Sequence, residues 1–125
     1  MADYEFGAWD PPAPIVRATV RGPQDAVAID VPMLIDTGAD ISVVPQSAAD
    51  AAGGVIVPSR IPVEFYTGTG ESLDEANLSV EFARFRFEGL FLVADSDYGI
   101  LGRNVINLMT LTLDGPNLIW SMRTA

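Results

Sequence analysis

Apolar and polar residues alternate along most of this chain in runs of four to eight residues, too short for helices of ordinary length. The segment Ile15-Val16-Arg17-Ala18-Thr19-Val20 is followed by a turn at Arg21-Gly22-Pro23. Val27, Ile29, Val31 and Met33 then recur at period two up to Ile35. Period two marks a half-buried strand, so these two runs predict a hairpin. After a polar break at residues 36–40, Ile41-Ser42-Val43-Val44 resumes the apolar text and stops at Pro45. Residues 61–66 read as a strand and 67–70 as a turn. Leu78-Ser79-Val80-Glu81-Phe82 alternates clearly, and Phe85, Phe87 and residues 90–93 extend the pattern into a further strand. A second polar break at 95–99 precedes Ile100 and Leu101. Leu111-Thr112-Leu113 and Leu118-Ile119-Trp120 flank a turn at 114–117, which predicts a closing hairpin.

Helix signals are sparse. Residues 47–52 hold four alanines after Ser47, a residue that can cap, and Gly53-Gly54 ends the run. Residues 105–109 allow one or two turns. Residues 1–14 carry Phe6 and Trp9 among Pro11, Pro12 and Pro14 and predict an extended arm, because proline lacks the amide donor and restricts its predecessor. The expectation is an all-β domain at 15–125, closed or sandwiched, with seven to nine short strands and one or two short helices behind that arm.

Composition narrows the chemistry. The chain has 125 residues, enough for one domain with a core of its own. It contains no cysteine and no histidine. Disulfides, thiolate nucleophiles, Cys- or His-ligated metals and every Ser-His or Cys-His mechanism are therefore excluded. Acid-base work would fall to carboxylates, Tyr, Lys or Arg. Seven basic against 17 acidic residues give a net charge of −10, which argues against nucleic acid as a partner. The first residues lack a basic and apolar leader, and no apolar run approaches the roughly 20 residues that cross a bilayer. A cytoplasmic protein with no membrane partner is the default expectation. No dense carboxylate loop calls for a metal, and no cofactor is expected.

One segment has an unusual grammar. In Met33-Leu34-Ile35-Asp36-Thr37-Gly38-Ala39-Asp40, three large apolar residues deliver an acid at the end of a buried strand. A carboxylate buried without a partner is strongly disfavoured. Asp36 alone has an ordinary reading, a turn in which its carboxylate accepts from the amides of Thr37 and Gly38. Two further segments change the weighting: Gly68-Thr69-Gly70, and Gly99-Ile100-Leu101-Gly102-Arg103-Asn104.

In this order the three segments resemble the retropepsins, the retroviral-type aspartic proteases, and their single-domain cellular relatives, over residues 15–120. The resemblance implies a small acid-protease barrel that is half of a two-fold symmetric dimer. It implies Asp36 as the catalytic aspartate and Thr37 as the residue whose hydroxyl braces the loop across the axis. Ala39 completes the active-site loop. Gly38, Asp40 and Ile41 are implied at the substrate, with the Gly38 carbonyl meeting its backbone. Asp40 and Arg103 match a structural ion pair near the end of the substrate groove, and Ile100, Leu101 and Gly102 match the segment passing under the catalytic loop. Residues 61–72 look like a flap hairpin whose Tyr66, Thr67, Gly68, Thr69 and Gly70 would meet the substrate. Thr67 is an extra residue between the tyrosine and the glycine.

The expectation is a homodimeric aspartic endopeptidase acting on peptide or protein substrates. The rival is a catalytically silent dimer of the same fold, serving as a peptide-binding or assembly module. The arm around Phe6 and Trp9 and the tail at 118–122 offer apolar surface for an intersubunit sheet. Phe82, Phe85, Phe87 and Phe91 read as core and interface. Arg84 and Arg86 read as the exposed face of the strand that carries Phe85 and Phe87. Asp74-Glu75 and Asp95-Ser96-Asp97 read as solvated loops.

Overall fold

The computed structural model describes residues 1–64 and 70–124, with the backbone alone at 60–64 and 70–72. Its strands form two sheets. In the larger sheet, β2 (Ile15–Arg21) pairs antiparallel with β3 (Val27–Ile35), as their alternation predicts. The period-two register of β3 breaks midway: Ala18 faces Val31 but Val20 faces Ala28, so β3 carries one extra residue. The bulge centres on Asp30, whose φ of +56° is a left-handed conformation that Asp tolerates better than most side chains. Val31, Met33 and Ile35 are therefore buried, whereas Ile29, expected on the same face, is 74% exposed.

β4 (Val43–Pro45) follows β3 in the chain but does not pair with it. The short strand β8 (Gly99–Leu101) lies between them, parallel to β3 and antiparallel to β4. β4 continues parallel to β7 (Phe85–Ala94), which pairs from Phe85 to Val93 with β6 (Gly70–Phe82). The far end of β6 returns to β2 through Thr19, Val20 and Arg21 and closes the sheet into a barrel. β5 (Val57–Glu64) adds to the free edge of the first half of β6. Asp74 and Glu75, expected in a loop, are paired within β6 to both neighbours. The barrel is filled by Val16, Val20, Met33, Val44, Val80, Phe91 and Leu101, all buried. Burying one such large side chain stabilises by roughly 1.5–3 kcal/mol. Phe82 and Phe85 are buried and Phe87 packs against this cluster. Arg84 sits in the turn before β7 and not on the strand face.

α1 (Gln46–Ala51) starts one residue earlier than expected and is preceded by Pro45, so Ser47 lies inside the helix and caps nothing. Ala48 and Ala49 face the core, and Gly53 leaves the helix at φ +69°. α2 (Arg103–Ile106) also starts earlier than expected. Its amides at Val105 and Ile106 bond the Gly102 carbonyl, which anchors the helix directly to the end of β8.

The second sheet is built from the ends of the chain. β1 (Ala2–Asp3) pairs with β10 (Ile119–Thr124), which pairs in turn with β9 (Met109–Asp114). The predicted closing hairpin is β9 and β10. The arm is tied back onto its own chain: the Tyr4 amide donates to the Leu118 carbonyl at 2.7 Å, Glu5 and Ala13 form an antiparallel bridge, and Trp9 meets Tyr98 edge-on with ring centroids 4.7 Å apart. Among the described residues no helix is long and apolar enough to cross a membrane.

Candidate active site

Asp36 follows directly on the last residue of β3. Its backbone amide donates to the Leu101 carbonyl of β8 at 3.0 Å, and the preceding amide, Ile35, donates to Pro14 at 3.2 Å. The loop is thus pinned at the point where β3 ends. It has to turn over the end of β8 to reach β4, because β8 occupies the space between them. Two glycines make that crossing fit. A Cβ on Gly99 would lie 2.5 Å from the Val43 carbonyl oxygen. One on Gly102 would lie 2.9 Å from the Ala39 oxygen and from the Ile41 carbonyl carbon. Close backbone approach is what glycine permits here, since Gly102 itself has an ordinary φ of −93°.

The Asp36 carboxylate is used within the loop. Its Oδ1 accepts the Gly38 amide at 2.8 Å, and the Ala39 amide donates to the Asp36 carbonyl at 3.3 Å. The turn thereby holds one carboxylate oxygen in place and restrains the plane of the group. Asp36 is half-buried while Thr37 and Gly38 are exposed, so the carboxylate stands at a surface. Ala39 and Ile41 are partly buried and Asp40 is exposed.

α2 braces the loop from the other side. The Arg103 amide donates to the Ala39 carbonyl at 2.8 Å and the Asn104 amide to the Asp40 carbonyl at 3.2 Å. The Arg103 guanidinium divides its fork between the Thr37 carbonyl (Nη1, 2.6 Å) and Asp40 Oδ1 (Nη2, 2.7 Å). The structure therefore brings Asp36, Thr37, Gly38, Ala39, Asp40, Leu101, Gly102 and Arg103 into one cluster. Ile100 pairs with Leu34 on one side and Val43 on the other, beneath it. Tyr66, Thr67, Gly68 and Thr69 lie outside the described residues. Gly70 opens β6 opposite Glu64 of β5, so the two strands that lead to those residues form a hairpin.

Two residues of this cluster had no assigned part in the sequence reading. Ser42, fully buried, donates from its hydroxyl to Asn104 Oδ1 at 2.8 Å and from its amide to the same oxygen at 3.0 Å. Its Oγ accepts the Gly102 amide at 2.8 Å. The available signal was a lone hydroxyl inside Ile41-Ser42-Val43-Val44, because a polar side chain in an apolar run needs a partner.

Two concavities of about 240 and 270 Å³ lie elsewhere, one between the β3 bulge and α1 and one beside Arg21 and Arg86, and Asp36 lines neither. Among the described residues no group of three acidic side chains is placed to hold a metal ion.

Comparison with known proteins agrees with this geometry. Residues 16–105 match the aspartyl protease family, a stretch that contains the barrel, the Asp36 loop and Arg103. Among solved structures, EIAV protease in complex with the inhibitor HBY-793 superposes with a TM-score of 0.61 at 21% sequence identity, covering 76% of this chain and 86% of that one.

Proposed function

The chain belongs to the aspartyl protease family and has the retropepsin-like fold, and from that premise we propose that it is an aspartic endopeptidase working as a homodimer. The observation that carries the proposal is the Asp36 carboxylate, held in a braced loop at the surface of a chain that contains a single Asp-Thr-Gly. Water-mediated peptide hydrolysis by aspartates needs two carboxylates sharing one proton: one draws a proton from water while the other hydrogen-bonds the substrate carbonyl. Two such groups about 3 Å apart cannot both ionise, so the pair titrates as a unit. One protomer supplies half of that arrangement. A two-fold axis beside the Asp36 loop supplies the other half, because an isologous interface sets each residue against its own equivalent.

In this reading the substrate is an extended polypeptide lying across the axis. Water attacks the scissile carbonyl carbon, its proton passes to the unprotonated carboxylate, and the tetrahedral intermediate collapses as the leaving nitrogen is protonated. The Gly38 carbonyl, Asp40 and Ile41 line the groove, and the hairpin of β5 and β6 closes over it as a flap. One carboxylate must stay protonated, so activity belongs to acidic or mildly acidic pH.

The test is cleavage of an unstructured polypeptide at pH 4 to 6 by the wild-type chain and by Asp36→Ala. Cleavage by the wild type that Asp36→Ala abolishes supports the proposal. Cleavage that survives the substitution overturns it. A dimer that binds peptide and cleaves in neither form would be a binding or assembly module instead.

A further inference from the structure

We infer that the groove between the β3 bulge and α1 is a docking site, away from Asp36, for a basic segment of the polypeptide substrate: an apolar side chain rests on Ile29 while flanking lysine or arginine side chains meet Asp30 and Asp97. Its role in substrate choice rests on the endopeptidase reading above; its binding chemistry does not. The groove sits where three strands end. β3 runs from it to Asp36, β8 runs parallel from just after Asp97 to the Gly102 that lies beneath the Asp36 loop, and β4 runs back from that loop to Pro45. One end of this set therefore carries the Asp36 loop and the other end the groove. Asp36 is six positions beyond Asp30, so at about 3.3 Å per strand residue an extended substrate needs roughly six residues, about 20 Å, to reach both.

The groove suits side chains. Pro32, Pro45 and Ala48 give it an apolar lining, and the extra residue in β3 turns Ile29 outward beside them, where a large aliphatic group gains by being covered. β8 pairs with β3 at Met33, Leu34 and Ile35, which leaves the backbone edge at 27–32 without a strand on that side among the described residues. The positive φ of Asp30 and the missing amide of Pro32 spoil that edge as a template for strand pairing, so a partner is recognised through its side chains. At about 240 Å³ the groove takes one or two side chains of a chain crossing it, and falls below the roughly 300–1,000 Å³ of sites that enclose a whole small molecule.

Charge selects the partner. Asp30 and Asp97 on the rim are both exposed, and among the described residues no basic side chain lines the groove. Arg17 Nη1 stands 3.8 Å from Asp30 Oδ2, but its Nε and Nη2 are engaged by Glu5. Asp97 lies in a fastened turn: Ser96 Oγ donates to the Tyr98 carbonyl at 2.6 Å, and the Tyr98 ring packs on Trp9. In a chain of net charge −10, such a site repels acidic segments and a second copy of the chain, and attracts a basic segment.

Fluorescence anisotropy with a labelled, unstructured peptide of Lys, Leu, Gly and Ser tests the docking in the full chain, with Asp36→Asn present to keep cleavage out of the measurement. The expected result is a Kd that rises about fivefold or more with Asp30→Asn plus Asp97→Asn, with Ile29→Ser, and when the peptide's lysines are replaced by glutamine, and that also rises with salt. All three positions are exposed, and Asn tolerates the left-handed conformation at residue 30, so these variants keep the fold, with circular dichroism as the check. Without Asp36→Asn, the same substitutions raise KM for a polypeptide whose Lys-Leu-Lys segment lies roughly ten residues from the cleaved bond, beyond the span of the strands. They leave kcat, and KM for a short peptide lacking that segment, unchanged. Wild-type affinity in both groove variants, equal binding of the glutamine peptide, or variants that alter self-association in sedimentation and not peptide affinity overturn the site. Variant-sensitive docking on a wild-type chain that cleaves nothing keeps the site and overturns the endopeptidase. Cleavage whose KM the variants do not move overturns the role in substrate choice and keeps the endopeptidase.

Discussion

Ser42 and Asn104 are 62 residues apart in sequence, and a single side-chain oxygen of Asn104 accepts both the hydroxyl and the amide of Ser42. Through Ser42 Oγ the tie extends to the Gly102 amide, so one polar knot joins the exit of the Asp36 loop to the start of α2. Ser42→Ala leaves the Gly102 amide and one lone pair of Asn104 without a partner at a fully buried site. Leaving such groups unsatisfied costs about 1–3 kcal/mol, which urea denaturation of the variant would read as a lower midpoint at an unchanged slope.

The glycines under the loop differ in how much room each has. Gly99→Ala sets a Cβ 2.5 Å from the Val43 oxygen, and Gly102→Ala sets one at 2.9 Å from Ala39 and Ile41 backbone atoms, whereas Gly115 has nothing within 4 Å. Backbone atoms on both sides cannot swing away as a side chain can. The expected order of destabilisation is Gly99→Ala greater than Gly102→Ala, each about 1–3 kcal/mol or more, with Gly115→Ala near zero. Thermal unfolding of the three variants would show the order, and equal melting temperatures would refute the close-approach argument.

The Arg103 fork separates loop bracing from the ion pair. Asp40 is 83% and Arg103 43% exposed, so Asp40→Asn should cost less than about 1 kcal/mol. Arg103→Lys keeps the charge but cannot reach the Thr37 carbonyl and Asp40 together as a planar guanidinium does. If the brace on Thr37 matters to catalysis, kcat falls further in Arg103→Lys than in Asp40→Asn. The comparison is made on the cleavage assay.

What was legible in the sequence was what repeats or stays local. The period-two text of β2 and β6 and the Asp36 turn lie within single segments, where alternation and turn chemistry act. The bulge at Asp30 was hidden because Val27, Ile29, Val31 and Met33 look uniform until strand pairing selects which of them face the core. β1 has two residues and no period to read. The helix starts moved because Pro45 and Gly102 lead into α1 and α2 from strand ends, a tertiary setting that Ser47 and Val105 do not reveal. Asn104 was visible beside Arg103, but nothing local joins it to Ser42.

The turn between β6 and β7 is strained in a way that can be relieved. Phe82 pairs with Phe85, so Ala83 and Arg84 form a two-residue turn, with φ of +47° and +63°. Such a hairpin favours Asn-Gly, and a left-handed conformation costs an ordinary L-residue about 1–2 kcal/mol. The double variant Ala83→Asn with Arg84→Gly should therefore be more stable by about 1 kcal/mol, visible as a rise in Tm. A fall would show that the Arg84 side chain contributes more than its backbone conformation costs.

The arm is fastened by a pair that weakens in acid. Arg17 Nε donates to Glu5 Oε2 at 2.8 Å, and this hydrogen bond holds the Glu5 carboxyl below its ordinary value of 4.5. A carboxyl depressed in the folded state contributes stability that is fully present above its unfolded pKa and is lost as pH falls through the folded one. Arg17 is 46% exposed, so after solvent screening the contribution stays under about 1 kcal/mol. Wild type should exceed Glu5→Gln in stability at pH 6 to 7, and the gap should narrow as the pH falls below 4.5. Chemical denaturation of both proteins at pH 7 and pH 3 checks the sign: a gap that widens in acid would mean that Glu5 is held by something other than the Arg17 guanidinium.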